Sequence, residues 1–459
     1  MNHPPIRENG KTGCVSETSG EFFTPSLPFR IRTYFLWRYC MKERIYICID
    51  LKSFYASVEC VERGLDPFTA NLVVADPARQ TGTICLAISP AMKALGVKNR
   101  CRVFEIPSHI KYIMAKPRMR LYMEKSAQIY SIYLRYICAE DMHVYSIDEC
   151  FIDATDYCKL YHTDARGVAR LLMDAVMRET GIAATAGIGT NLFLAKVALD
   201  ITAKHSPDRM GILDEVSFQR QIWHHRPITD IWNIGQGTAK RLAKMGIFDL
   251  YGVAHTDPRA LYHAFGVNAE LLIDHANGRE SCTVADIRAY RPKSSSITSG
   301  QVLFYDYDFE GARLILHEMT EALVLELIRR RQVTGAISLS VGYSRDLHRH
   351  TGTTMRLTGY TNSYRKLYAA LDDCFTKTTL AHTPIKRINI GFCDLVSDIY
   401  TTVDLFTDHR AEAREQALLK TVVGIKDRYG KNAILRGINF EECATMRERN
   451  QMIGGHNEI

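Results

Sequence analysis

Two short apolar runs that end in carboxylates constrain this chain more than any other feature of its 459 residues. The first, Ile45-Tyr-Ile-Cys-Ile-Asp50-Leu-Lys-Ser-Phe-Tyr55-Ala-Ser-Val-Glu59, is β-rich and apolar up to its first acid, so it reads as a buried strand delivering Asp50 to a sheet end. The second, His143-Val-Tyr-Ser-Ile-Asp148-Glu149-Cys-Phe-Ile-Asp153, sets two adjacent carboxylates in an equally apolar, strand-like context. Ionised groups left unpaired in such surroundings are prohibitively costly, and a divalent cation neutralises them best. Side by side, Asp50, Asp148 and Glu149 are hard oxygen ligands of the kind that suits Mg²⁺ shared with substrate phosphates, the constellation of two-metal phosphoryl transfer. The bland alternative is that Asp50 caps a strand and Asp148-Glu149 occupies a hairpin turn.

A chain of this length exceeds what one core usually supports, so two to four domains are expected. Hydrophobic residues make up 46% of it, but no apolar run is long enough to span a bilayer, and no membrane role is indicated. The net charge of +7 is compatible with a polyanionic partner without demonstrating one. The 13 cysteines include no C-x-x-C pair. Cys48, Cys150 and Cys393 lie in apolar strands as small hydrophobes, so the thiols read as reduced, in a cytoplasmic protein. No Ser-His-Asp or zinc-ligand pattern offers a competing catalytic site.

In chain order, residues 1–40 read as a poorly ordered leader, and Met41 as a candidate start. Residues 53–63 form a helix whose N-terminus lies just beyond Asp50, where its amides face an anionic ligand. Strands over 72–75 and 83–88 precede a helix over 90–95 closed by Gly96. Helices follow over 122–137 and 165–180. A strand with a glycine turn then leads into a helix over 192–204, on which Lys196 and Lys204 face outward as on any amphipathic helix. The run 231–242 fits a helix-hairpin-helix, in which Gly235 and Gly237 bracket a turn whose amides meet a DNA phosphate, with Lys240, Arg241 and Lys244 close behind. A polar linker over 291–296 precedes a four-strand sheet backed by two helices, built from strands over 297–303, 336–343, 353–357 and 385–392 and helices over 309–331 and 364–376. Arg345, Arg349, Arg356 and Lys386-Arg387 lie on its strands and turns, where basic residues suit a duplex backbone.

The order Asp50, then Phe54-Tyr-Ala-Ser-Val-Glu59, then Tyr145-Ser-Ile-Asp-Glu-Cys-Phe-Ile-Asp153 resembles the catalytic palm of the Y-family (DinB/UmuC-like) translesion DNA polymerases, and the UmuC-like branch in particular. The resemblance runs from Ile45 to about Phe392. It implies a multidomain α+β right hand: palm over 41–71 and 108–215, small fingers over 72–107, a thumb with the helix-hairpin-helix over 216–290, a little finger of four strands and two helices over 297–400, and a tail over 401–459. It also implies a template-directed, low-fidelity DNA polymerase in which Asp50, Asp148, Glu149 and the Leu51 backbone carbonyl hold two Mg²⁺ ions. Tyr55 would be the steric gate under the incoming sugar, beside Phe54, and Lys93 and Lys204 would contact the triphosphate.

Three places depart from the family's pattern: Lys52 replaces an acidic or polar residue, and Pro90 and Lys93 replace a tyrosine and an arginine that reach the triphosphate. The partners implied are primer-template DNA, deoxynucleoside triphosphates and a sliding clamp, the last through Leu405 and Phe406 of Thr402-Val-Asp-Leu405-Phe406, where Thr402 replaces the motif's glutamine. The protein would act as a cytoplasmic monomer in an SOS-type response. Two other classes remain open. A non-catalytic DNA-binding paralogue in repair should lack one of the three carboxylates, and a nucleotidyl cyclase-like palm enzyme has no use for a helix-hairpin-helix or a basic C-terminal domain.

Overall fold

The computed structural model describes residues 44–77, 82–292, 295–344, 350–402 and 408–457. The leader over 1–40, Arg345, Arg349, Leu405 and Phe406 therefore lie outside the described residues. The chain divides after Tyr290 into two compact units.

In the first unit, β1 (Tyr46–Leu51) runs into α1 (Phe54–Val61). A small lobe follows, made of β2 (Leu72–Val74), β3 (Ala87–Ile88), α2 (Pro90–Ala94) and β4 (Ile113–Ala115). Then come α3 (Met119–Tyr133), β5 (Met142–Val144), β6 (Glu149–Asp153), α4 (Ala165–Thr180), β7 (Ala184–Gly189), α5 (Leu192–Val197) and β8 (Met210–Leu213). β1 is the central strand of a five-stranded sheet ordered β5-β6-β1-β7-β8. It is antiparallel to both neighbours, with Asp50 opposite Glu149 on one side and Thr185 on the other. This central position explains its near-continuous apolar sequence, because both faces are covered.

One face of the sheet packs Tyr46, Cys48 and Phe151 against Leu192, Ala195 and Leu199. The approach is close enough to require glycine on the strand: a Cβ at Gly187 or Gly189 would collide with the Ala195 backbone. α5 is fixed at its start by Asn191, whose side chain accepts from the Leu194 amide at 2.8 Å and donates to the Gly278 carbonyl at 2.9 Å. The helix expected over 192–204 is not continuous. After Val197 the chain forms a π turn over Ala198–Thr202 and a 3-10 turn over Ala203–His205, so Lys196 and Lys204 do not share one α-helical face. Helices from Glu215 to Ala276 bury Phe218, Leu242, Leu250 and Leu261 in a core shared with Phe193 and Leu194 of α5.

The small lobe departs from expectation in two ways. The strand expected over 83–88 shrinks to Ala87–Ile88, with Ile84 making a lone bridge to Arg102, and the lobe's sheet is completed beyond residue 107 by β4, parallel to β2.

The second unit contains β9 (Ser296–Tyr307), α6 (Phe309–Arg330), β10 (Gln332–Tyr343), β11 (His350–Thr351), β12 (Thr354–Thr361), α7 (Tyr364–Thr378), β13 (Ile385–Ser397) and α8 (His409–Tyr429). Its sheet is ordered β11-β10-β13-β9, with β12 also paired to β10. α6 is apolar nearly all round because it is covered on more than one side: Ile315, Leu316, Met319 and Leu327 share a core with sheet residues Ile337, Ile388 and Phe392, with Leu371 and Phe375 of α7, and with Leu419 and Val423 of α8.

The C-terminal stretch expected as a separate tail is therefore part of this unit, which carries three long helices rather than two. Arg329 pairs with Asp427 at 2.8 Å and Ser363 with Glu415 at 2.6 Å. Farther on, the buried Glu318 carboxylate accepts from Asn439 Nδ2, the Thr445 and Met446 amides and the Thr445 hydroxyl, at 2.9–3.1 Å.

Candidate active site

The antiparallel register sets Asp50 and Glu149 directly across from each other at one end of the sheet, and the Leu51 amide bonds the Asp148 carbonyl at 2.9 Å, locking the two acidic segments together. Asp148 stands just before β6, and its Oδ1 accepts from Ser146 Oγ at 2.7 Å. Three carboxylates thus gather at a half-buried strand end. The electrostatic consequence falls on Asp50, where burial first, and then Asp148 and Glu149, push the carboxyl up to about 7 against the opposing pull of Lys196. A site that strains against its own ionisation in this way matches the donor chemistry of a hard divalent cation.

The cage is not preformed: among the described residues no three His, Cys, Asp or Glu side chains are spaced to hold a metal ion on their own. The reason lies in the partners. Glu149 Oε1 is drawn to Lys196 Nζ at 2.7 Å and Cys48 Sγ at 3.1 Å, while Asp148 is held by Ser146. Mg²⁺ usually completes its shell with water and substrate phosphates rather than protein alone, so an open, partly tethered set fits it.

Tyr55 and Phe54 occupy different environments, as neighbours on a helix must. Phe54 is in the core, 2% exposed. Tyr55 is half-buried and stacks on Tyr122, ring centroids 4.4 Å apart. Burial and then Asp148 raise its phenol above the ordinary value, with Arg100 opposing, so the ring lies within electrostatic reach of the carboxylates. Beneath it is a buried acid that sequence reasoning missed. Glu59 accepts from Tyr122 at 2.7 Å and from Arg118 through Nε and an NH₂ group at 3.0 and 2.8 Å, and pairs with Arg63. Its signal in the sequence was an acid one helical turn after Tyr55 on an otherwise apolar helix.

Ser53, between the strand and α1, has φ 53° and a buried hydroxyl oxygen without a partner, a local strain beside the acidic cluster. Lys52 sits 5.6 Å from the Phe68 ring, turned to an aromatic face.

The lysines separate into two kinds. Lys93 on α2 is pushed down by burial, with Asp50 and Asp148 raising it and Lys52 and Lys204 lowering it, so the small lobe faces the carboxylates with this cation. Pro90 starts α2, whose N-cap Ser89 accepts from the Met92 amide at 3.3 Å. Lys204 is exposed, 3.9 Å from Asp200. Lys196 is 8% exposed and bonded to the acidic cluster, not turned outward as a bland amphipathic helix would have it.

Away from the cluster, Gly235 and Gly237 are exposed at the start of the helix Gln236–Lys244, with open space where a Cβ would stand, and Lys240 is exposed beyond them. Arg241 is exposed, bonds the Ala264 carbonyl through one NH₂ group at 3.3 Å and lies 4.5 Å over the Phe265 ring. Arg356 is exposed on β12.

The impB/mucB/samB family profile matches residues 49–200, and the profile of that family's C-terminal domain matches residues 294–405. DNA polymerase IV 2 of Bacillus subtilis (strain 168) is 30% identical over 434 residues, covering 91% of this chain and 99% of that protein. DNA polymerase IV 2 of Halalkalibacterium halodurans is 29% identical, covering 90% and 99%. Among solved structures, a Y-family DNA polymerase chimera shares the fold at a TM-score of 0.58 and 19% identity, over 77% of this chain and 99% of that one. A sheet-end carboxylate cluster in this fold defines a nucleotidyl-transfer enzyme. The chain belongs to the impB/mucB/samB family and is a Y-family DNA polymerase of the translesion type. No described helix is long and apolar enough to cross a membrane.

Proposed function

We propose that this polymerase adds deoxynucleotides to a primer 3′-hydroxyl at the end of β1 and β6, with Asp50, Asp148, Glu149 and the Leu51 carbonyl as ligands for two Mg²⁺ ions. The observation that carries this reading is the cross-strand pair Asp50↔Glu149 with Asp148 beside it. When bound, the divalent cations neutralise charge on the triphosphate and on the primer oxygen. The chain's own residues then position the reactants. Lys93 from the small lobe and Lys204 beyond the π turn act as point charges on the triphosphate, and Ser146 fixes the rotamer of Asp148. The amides near Gly235 and Gly237, with Lys240 and Arg356, bear on the DNA backbone without reading sequence. The small lobe supports tolerance of distorted template bases and low fidelity. Primer extension by the full chain on undamaged and lesion-bearing templates tests the assignment, and failure to extend any primer with Mg²⁺ and all four deoxynucleotides defeats it.

Tyr55 is proposed as the steric gate, held by its stack on Tyr122 and the Glu59 network below. Tyr55→Ala should admit ribonucleotides, lowering the dCTP-over-CTP ratio in single-nucleotide insertion by about 10²-fold, the size of a lost steric clash of roughly 3 kcal/mol. An unchanged ratio removes the role.

Leu405 and Phe406 are proposed to engage a sliding clamp. Thr402 anchors the start of that segment, exchanging two bonds of 2.8–2.9 Å with the Tyr360 backbone, so its hydroxyl already serves the fold where the motif has glutamine. Replacing both apolar residues by Ala should abolish clamp-stimulated synthesis and spare clamp-free synthesis, a loss of avidity without loss of chemistry. Equal loss of both activities would point to a packing role. Cytoplasmic location and action as a monomer complete this reading.

A further inference from the structure

Lys196 is a lysine on the inner face of α5, with its ammonium 2.7 Å from Glu149 Oε1 and 3.0 Å from Asp200 Oδ2. Its side chain and that of Glu149 are each only 10% exposed. The same Glu149 oxygen accepts from Cys48 Sγ at 3.1 Å. Oε1 is therefore engaged by two donors, and among the described residues no protein hydrogen bond falls on Oε2. The lysine head is thus held between two carboxylates. Asp200 in turn lies on the π turn, which carries it back towards Lys196 while Lys204 stands 3.9 Å off its other oxygen.

We propose that Lys196 is a positioning residue acting as a protein-borne cation: it occupies the place between Glu149 and Asp200, fixes Glu149 through Oε1 so that Oε2 faces the reaction, and keeps Asp200 out of the metal-ligand set. This rests on the two-metal reading above. Without the ammonium, four carboxylates, Asp50, Asp148, Glu149 and Asp200, gather with only Lys93 and the exposed Lys204 near them and no cation between Glu149 and Asp200, so a mobile divalent cation is drawn into the gap. Such a cation pulls on both Glu149 oxygens and misplaces the ligand by the fraction of an ångström that phosphoryl transfer does not tolerate.

The test compares full-length wild type, Lys196→Met and Lys196→Arg in two measurements. The first is single-turnover incorporation over a range of deoxynucleotide concentrations. Lys196→Met should lower kcat by about 10–100-fold, the usual consequence of losing a partner that orients a metal ligand, with KM changing less than about threefold, and Lys196→Arg should recover most of the loss. The second is Mn²⁺ bound per chain, counted by electron paramagnetic resonance without DNA or nucleotide. Lys196→Met should bind one more Mn²⁺ than wild type, and Lys196→Arg should not. An unchanged kcat, a loss shared equally by KM, or an unchanged Mn²⁺ count each overturns the proposal. Should Lys196→Met not fold, Lys196→Gln, which keeps volume and donation without charge, gives the same two readings. Failure of the underlying two-metal reading looks different: Asp148→Asn would then extend primers as well as wild type.

Discussion

Asp148→Asn abolishes synthesis, with single-turnover incorporation falling by about 10³-fold or more, while affinity for primer-template DNA at fixed salt stays within about threefold of wild type. The asparagine keeps the volume and can still bond Ser146, so what disappears is one negative charge at the strand end where the triphosphate's counter-ions must sit. DNA affinity should survive because the residues proposed to bear on the backbone, Lys240 and Arg356, are remote from the acidic cluster in sequence and are exposed on their own elements. Glu149→Gln should cost a similar factor, and here a second effect adds to the first: the buried Lys196 keeps only Asp200 as an anionic partner. Fluorescence anisotropy on the same preparations separates binding from chemistry. Extension by Asp148→Asn within tenfold of wild type would end the assignment of this cluster as the catalytic centre.

Asp50→Asn should be equally inactive yet more stable than wild type when cations are chelated. In the folded chain this carboxyl titrates at about 7, above the ordinary 3.8 that the unfolded chain would show. The folded state therefore binds the proton more tightly than the unfolded state, and stability from this group falls as pH rises from about 4 through 7. At pH 8 the ionised Asp50 costs at most about 4 kcal/mol, and at pH 5 most of that cost is absent. Calorimetric melts in chelator should show Asp50→Asn raising Tm at pH 8 by several degrees and by much less at pH 5. Mg²⁺ should raise the wild-type Tm at pH 8 and leave the mutant's nearly unchanged. A mutant less stable than wild type at pH 8 would mean that Asp50 is not under charge strain. The cost at Asp50 is a stability given up for function, of the kind active sites concentrate.

The acidic strands were legible because an apolar run ending in a carboxylate has few structural solutions, and the motif order fixed which runs belong together. The register that sets Asp50 opposite Glu149 was not legible, since pairing depends on the partner strand and not on either run alone. The burial of Lys196 was not legible for a physical reason: a lysine on an amphipathic helix is outward by default, and only the close packing of α5 on glycine-lined β7 shows that this one meets Glu149. The different surroundings of Phe54 and Tyr55 follow from helix geometry: successive positions point about 100° apart, so Phe54 is in the core while Tyr55 stacks on Tyr122. Glu59 was passed over as part of a motif, although an acid on a buried helical face demands the guanidinium and phenol partners it proves to have. The surface that α8 covers was not legible, because an apolar stripe does not name the surface it packs on.

The Glu318 clasp has a bearing on how this protein can be dissected. Shortening the chain before residue 439 removes every donor that satisfies a fully buried carboxylate, at a cost of about 1–3 kcal/mol for each bond lost, and cutting before 409 also lays bare Leu316 and its neighbours on α6. Deletion of everything after 401 is the obvious way to ask whether Leu405 and Phe406 recruit a clamp. Such a deletion would produce an aggregating second unit whose failure to be stimulated says nothing about recruitment, so the question belongs to point substitutions in the intact chain.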